Sequence, residues 1–345
     1  MARILEHRRS TDLPFTPSEP FGLIRTRLAS AIARRSGLGF PHPDTTGFRL
    51  VNAEGDGLSG LVVDRFDDVA VAQLNSMAMA ANGARLAALI AETAGVGAVI
   101  TRTDAEASRL EGIAKAQAVY PESAANDLTE REVSIKESGI QYALALGRGQ
   151  KTGFYFDQRE NRARFAELAA GQRVLDLYSY VGAFGLGALR AGAREVIAVE
   201  TSKPAAEKAI AHAALNGVSE GFRGVNGDVV TFLRDVIAGS ARYDRIVCDP
   251  PKFVRSRSHL KDGLKKYIQV NTLAMDALAP GGMLLTCSCS GHVDREAFLR
   301  VLTEAGHRLR RGVHVHGLWG AGADHPFASV APQTDYLKAA LVTLT

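Results

Sequence analysis

Apolar residues recur along the chain with two different periods. Between Phe21 and Arg35 they repeat at helical spacing, which predicts one amphipathic helix inside a charged, proline-bearing stretch, residues 1–45, taken as a connector. From Phe48 the period shortens. FRLVN, GLVVDRF and VAVAQLN read as strands, punctuated by Gly55, Gly57, Gly60 and the Asp67-Asp68 pair. A helix from about Met77 to Ala91 and a strand near Ala98 to Thr101 complete a small α+β domain over residues 46–127. The proline-containing segment from Tyr120 to Asp127 predicts its boundary.

After Arg131, VSIKESGIQYALAL predicts a hairpin that turns at Ser138-Gly139. Short apolar runs then alternate with helical lengths: Arg173 to Leu177, Glu195 to Glu200, Arg223 to Asn226, Arg245 to Cys248, Met283 to Cys287, Arg311 to His316 and Tyr336 to Val342. This alternation predicts an α/β domain over residues 131–345. Its sheet is mostly parallel and covered by helices on both faces, with ligands at the carboxyl ends of the strands.

With 345 residues, of which 46% are hydrophobic and 23% charged, the chain is long enough for two cores and too apolar for extended disorder. Its three cysteines, Cys248, Cys287 and Cys289, crowd one region instead of spreading as a disulfide framework would, which predicts a reducing, cytoplasmic setting. No apolar run approaches the roughly 20 residues of a membrane span, and MARILEHRRSTDLPF lacks the apolar core of a signal peptide. A net charge of +4 is compatible with a polyanionic partner, although a solvated basic face is the commoner reason for such a charge.

Candidate chemistry collects at the predicted strand ends. Asp176 closes the first strand of the larger domain and is followed by Gly182, Gly185 and Gly187, a turn that lets a ligand approach the backbone. The glycine spacing fits neither GxGxxG nor a P-loop, which argues against a nicotinamide oxidoreductase and against nucleotide hydrolysis. Glu200 ends the next strand, about 24 residues on, where a carboxylate suits ribose hydroxyls. Asp228 follows the third strand, within reach of an adenine amino group. Each acid alone reads as well as a helix N-cap. The fourth strand ends in DPP, and prolines after Asp249 fix the direction of its backbone.

The fifth strand ends in CSCSG, so a thiol arrives at the same edge as Asp249. The acid-and-glycine first loop, the acid after the second strand and DPP after the fourth together resemble the class I methyltransferase pattern for nucleic-acid bases. For such an enzyme, methylation at C5 of a cytosine needs a thiolate to add at C6, and Cys289, just past the strand, is the better placed nucleophile, with Asp249 expected to read the N3/N4 edge of the base. Cys287 and Cys248 read as core. CxC lacks the CxxC spacing of zinc sites, so no metal is expected. In KFVRSRSHLKDGLKK, Lys252, Arg255 and Arg257 are candidate phosphate contacts and Phe253, close to Asp249, is a candidate stacking surface for an unstacked base, with Pro250 a further substrate-side candidate. His325 in ADHP reads as a proton-transfer candidate or as an ordered loop histidine.

GQKTGFYFDQRENR, DLYSYVGAF, DPPKF, SCSG and ADHP together resemble the ribosomal RNA large-subunit methyltransferase I family, with a match running from about Gly47 to Leu344. The resemblance implies a Rossmann-like class I methyltransferase domain with a seven-stranded sheet, preceded by a small α+β domain that helps present RNA. It implies S-adenosylmethionine as cofactor, 23S rRNA as substrate and 5-methylcytosine as product. It further implies Asp157 and Arg159, from DQRENR, at the cofactor, with Cys289 as the SCSG cysteine. One departure is the N-terminal PUA-type RNA-binding domain of that family, of which only something like a last strand, Ala2 to His7, is expected here. Methylation of a guanine nitrogen and a non-catalytic RNA-binding role remain the competing readings, and monomer and homodimer stay open.

Overall fold

The computed structural model describes residues 20–103, 108–109, 111–147 and 153–345. The possible PUA remnant at Ala2 to His7 and the first part of GRGQKTGFYFDQRENR, residues 148–152, lie outside them. The chain forms two compact units, Met1–Asp157 with Gly322–Thr334, and Gln158–Ala321 with Asp335–Thr345.

The first unit holds a five-stranded sheet, β1 (Gly47–Asn52), β2 (Leu61–Phe66), β3 (Val69–Leu74), β4 (Ala98–Arg102) and β5 (Gln117–Tyr120), in that order. Only β3 and β4 pair in parallel, joined by a helical crossover. The crossover is two helices, Met77–Ala81 and Gly83–Ala94, where the sequence predicts one. Ser76 caps the first through its hydroxyl, which accepts from the Met79 amide, and Asn82 leaves helical geometry with a ψ of 21°.

The helix Pro20–Gly37 corrects the connector reading of residues 1–45. Ile24, Leu28 and Ala31 lie on one face of it and are buried in the same core as Phe48, Leu50, Val63 and Ile90. At its last turn the buried Arg35 guanidinium pairs with both oxygens of Asp56, at 2.6 and 2.7 Å. The boundary expected between Tyr120 and Asp127 also moves. The hairpin β6 (Val133–Glu137) and β7 (Ile140–Leu144) belongs to this unit, with Ser138 and Gly139 both in the left-handed region that its tight turn requires. Phe154 and Phe156 of GFYFD are buried beside Tyr142 and Phe66, at ring separations of 4.8 to 5.2 Å. That aromatic segment is core, which is why the division falls at Asp157 and not at residue 131.

The second unit is built on a seven-stranded sheet. Its strands are β8 (Arg173–Leu177), β9 (Glu195–Glu200), β10 (Phe222–Asn226), β11 (Tyr243–Cys248), β12 (Leu278–Ser288), β13 (Val313–Trp319) and β14 (Lys338–Leu344). Their order is β10-β9-β8-β11-β12-β14-β13, parallel except for β14, which runs antiparallel to both neighbours. The order reverses between β8 and β11, and at such a switch point the loops after the two strands diverge and leave a crevice at their carboxyl ends. Helices cover both faces. Tyr267, Val270 and Phe298 close a core against Ile246 and Leu284, and Phe165 and Phe184 close another against Val247 and Cys287. Among the described residues no helix is long and apolar enough to cross a membrane.

If the helix Pro20–Gly37 is part of the first core, Leu28→Ala costs about 3 kcal/mol of unfolding free energy, as expected for a fully buried leucine. Urea denaturation of the variant measures it. A change below about 0.5 kcal/mol, typical of surface substitutions, would return the helix to the status of a connector.

Candidate functional site

The loop after β8 has a strongly constrained backbone. Tyr178 (φ 61°), Tyr180 (φ 49°) and Gly182 (φ 81°) all adopt left-handed conformations within five residues. For non-glycine residues this costs about 1 to 3 kcal/mol each, so the surrounding structure must impose it. Two carboxylates help to do so. The Gly185 amide donates to Oδ2 of Asp176 at 2.9 Å, and the Tyr180 amide donates to Oε2 of Glu200 at 2.9 Å. A Cβ on Gly185 would come within 2.7 Å of Val196 and 3.2 Å of Asp176 Oδ2, and one on Gly182 within 3.0 Å of Ala209. Both positions therefore need glycine, one for close approach and one also for its φ.

Asp176 is fully enclosed. Burial pushes its carboxyl up to about 7 despite the Gly185 amide, and the nearby Asp249 and Glu200 charges push the same way. Glu200 is half-buried, and its Oε1 accepts from the Ser202 amide at 2.8 Å, so each oxygen holds one backbone amide and keeps a further acceptor direction. Asp228 is exposed and caps the helix Val229–Ala238 through Oδ1, which accepts from the Thr231 amide at 2.8 Å and the Thr231 hydroxyl at 3.0 Å. The capping reading of Asp228 holds for that one oxygen. Ser179, buried in the same loop, has a hydroxyl with no hydrogen-bond partner among the described residues.

Beyond β11 the Asp249 amide donates to the Leu177 carbonyl at 3.3 Å, which ties the DPP segment to the end of β8. Pro250 is buried and Asp249 half-buried, while Lys252, Arg255 and Arg257 are exposed. Phe253 is engaged on the protein side, 4.8 Å from Tyr267 and 6.4 Å, edge-on, from Tyr178. Ser290 joins this segment to the one after β12. Its hydroxyl accepts from the Val254 amide at 3.2 Å and lies 2.9 Å from the Tyr267 hydroxyl.

The three thiols separate cleanly. Cys248 and Cys287 are buried, and burial drives both well above the ordinary thiol range. Such thiols are inert. Cys289 alone is partly exposed. Asp157 and Arg159 fall on either side of the division between units, and both are buried. Arg159 opens the helix Arg159–Glu167. His325 lies in the first unit, its Nδ1 2.8 Å from Oδ1 of Asp324, whose Oδ2 accepts from the Arg49 amide at 2.9 Å. Ser179, Ser290, Tyr267 and Lys338 were not singled out by the sequence reading. Only Lys338 left a signal there, a charge inside the apolar run YLKAALV.

A mostly parallel sheet with a strand-order reversal, a glycine-bearing loop held by two acids, and an acid at or just past the end of each of four neighbouring strands define a Rossmann-like methyltransferase domain. The family model for S-adenosylmethionine-dependent methyltransferases matches residues 80–317. Ribosomal RNA large subunit methyltransferase I of Photobacterium profundum is 36% identical over 312 residues, 90% of this chain and 76% of that one. The protein of the same name from Shewanella denitrificans is 37% identical over 295 residues, 85% and 73%. Among solved structures, SMU.776, a methyltransferase complexed with SAH, superposes with a TM-score of 0.82 at 21% identity, covering 95% of this chain and 83% of its own. The chain belongs to the ribosomal RNA large subunit methyltransferase I family, and S-adenosylmethionine is its cofactor.

The residues after β8 and β9 fit that cofactor. Ser179 presents a buried hydroxyl without a partner among the described residues, and Glu200 keeps acceptor directions for a vicinal diol.

Asp176 also makes a prediction about pH. Because its folded-state value is raised to about 7, the native state holds that proton where the unfolded chain, at about 4, has lost it, so Asp176 weakens the fold progressively as pH rises from about 4 to 7. Asp176→Asn keeps an acceptor for the Gly185 amide and has no charge to bury. Its stability relative to the parent, from denaturation at pH 5 and pH 8, should improve toward pH 8. An unchanged difference would mean that Asp176 is ionised throughout.

Proposed function

We propose that this enzyme methylates C5 of a cytosine in 23S rRNA through a covalent adduct at Cys289. The observation that carries the reading is the contrast among the thiols, one partly exposed past β12 and two sealed in the core. A methyltransferase acting on a base nitrogen needs no thiol at this edge, whereas C5 needs one. The names of the relatives, ribosomal RNA large subunit methyltransferase I, support ribosomal RNA as the substrate.

S-adenosylmethionine supplies an electrophilic methyl group when bound. Glu200 accepts from the ribose hydroxyls, Asp228 meets the adenine amino group with the oxygen not used in its cap, and Asp176 and Gly182 shape the loop beneath. Asp157 and Arg159 are assigned to the cofactor from the family resemblance. On the substrate side, Asp249, aimed by Pro250, accepts from the cytosine amino group and shares the N3 edge. The Cys289 thiolate adds to C6, which makes C5 nucleophilic toward the methyl group. Loss of the C5 proton to a base and departure of the thiolate from C6 restore the aromatic ring. Lys252, Arg255 and Arg257 are exposed where phosphate contacts are needed, and such contacts position RNA without reading its sequence. Phe253, with part of its ring against Tyr267, offers its remaining surface to an unstacked base.

The test is transfer of labelled methyl groups to 23S rRNA taken from cells lacking the gene, followed by nucleoside analysis. The parent enzyme should yield 5-methylcytidine, and Cys289→Ala should lower the rate at least about a thousandfold while binding cofactor normally. Labelled methylguanosine that survives Cys289→Ala would move the reaction to a base nitrogen. Cofactor binding without any transfer would favour a non-catalytic RNA-binding role.

A further inference from the structure

Lys338 is the first residue of β14 and sits directly across the antiparallel ladder from Ser288, the residue before Cys289. It is only 2% exposed. Its ammonium donates to the Ser290 carbonyl at 2.8 Å and to the Tyr336 carbonyl at 2.6 Å, which uses two of its three N–H groups. Both acceptors are neutral. Among the described residues no carboxylate lies within ion-pair distance of Nζ. The two acids that act on it electrostatically are engaged elsewhere: Asp335 pairs with Arg295 at 3.2 Å, and Asp294 caps the helix Arg295–Arg308 by accepting from the Ala297 amide at 2.7 Å.

A buried ammonium without a counter-ion is costly, and a neutral amide would brace the same two carbonyls more cheaply. What distinguishes lysine here is its charge. Burial lowers Lys338 to about 8, so it remains mostly charged near pH 7. Among the groups that favour its charged form, Cys289 acts most strongly, ahead of Asp335 and Asp294, while Arg295 opposes it. Lys338 faces Ser288 across the ladder and is bonded to the Ser290 carbonyl, the two residues that flank Cys289, which makes the Cys289 thiolate the candidate counter-ion.

We propose that Lys338 is a positioning residue for the covalent step, its ammonium clamped between the Ser290 and Tyr336 carbonyls so that it stabilises the Cys289 thiolate and fixes the loop carrying it. The proposal rests on Cys289 as the nucleophile. A cation beside a thiol favours the thiolate, the reactive form, and so raises the fraction ready to add to C6 at neutral pH. The two carbonyls hold the charge in place, so no reorganisation is needed when the thiolate forms.

Alkylation of Cys289 by iodoacetamide, read by peptide mass spectrometry from pH 6 to pH 10, tests this on the full chain without any methyl transfer. Burial of Cys248 and Cys287 confines the reaction to one thiol. In Lys338→Met the midpoint of the rate profile should rise by about one pH unit, making alkylation about tenfold slower at pH 7, and Lys338→Arg should restore it. Coincident midpoints in Lys338→Met and the parent would overturn the proposal. Should Lys338→Met fail to bind cofactor, the reciprocal measurement decides. In the NMR titration of the Lys338 side chain, Cys289→Ser should lower the midpoint, and an unchanged midpoint would be equally fatal. A Lys338 effect on alkylation together with undiminished methylation by Cys289→Ala would preserve the coupling and overturn the covalent route instead.

Discussion

One hydrogen bond, from the Gly185 amide to the buried Asp176 carboxylate, fixes the turn on which the rest of the site depends. Without it the first turn of the helix Ala183–Arg190 would lose a partner, and the left-handed Tyr178 and Tyr180 would be free to relax. The sheet supplies the other half of the constraint. Because β8 is central and parallel to both neighbours, its end is sealed by β9 and β11, and Asp176 has no route to water. A carboxyl so placed is worth its burial cost only if it holds something. It holds the loop after β8.

A second constraint acts two strands away. Ser290 receives the Val254 amide from the DPP side and lies against the Tyr267 hydroxyl, while its carbonyl takes the Lys338 ammonium. The segments carrying Asp249 and Cys289 are thereby joined through one residue. In a low-dielectric interior such a network is stiff, since each broken bond leaves a buried polar group unpaired. Such stiffness suits the proposed reaction, in which an acid and a thiol act on one base. The two constraints meet electrostatically: Asp249 and Glu200 both raise Asp176, so the acids along the carboxyl edge form one coupled field.

Much of this was legible in the chain. Periodicity located the seven strands to within a few residues, and DPP and CSCSG marked the ends of β11 and β12, because a parallel strand buried on both faces leaves a plain apolar run with polar punctuation. What escaped depended on partners distant in sequence. The helix Pro20–Gly37 reads as a connector until Leu28 and Ala31 are seen against Phe48. Phe154 and Phe156 fall inside the α/β domain expected over residues 131–345, yet they pack with Phe66 and Tyr142 of the first unit. Lys338 shows in sequence only as an oddity in an apolar strand, since its meaning comes from carbonyls on either side of the ladder. The acids illustrate a subtler limit. Asp176 and Asp228 occupy the strand ends that were expected, but one braces a turn and the other caps a helix, and strand-end position alone does not separate support from contact with a ligand.

The central claim is that Cys289 bonds to C6 of a cytosine. Its most direct test is to incubate the enzyme and S-adenosylmethionine with 23S rRNA carrying 5-fluorocytidine, whose fluorine blocks the final loss from C5 and leaves the adduct in place. Peptide mass spectrometry should then find the nucleotide linked to Cys289. Recovery of free enzyme with unmodified cysteines, under conditions where normal RNA is methylated, would contradict the account.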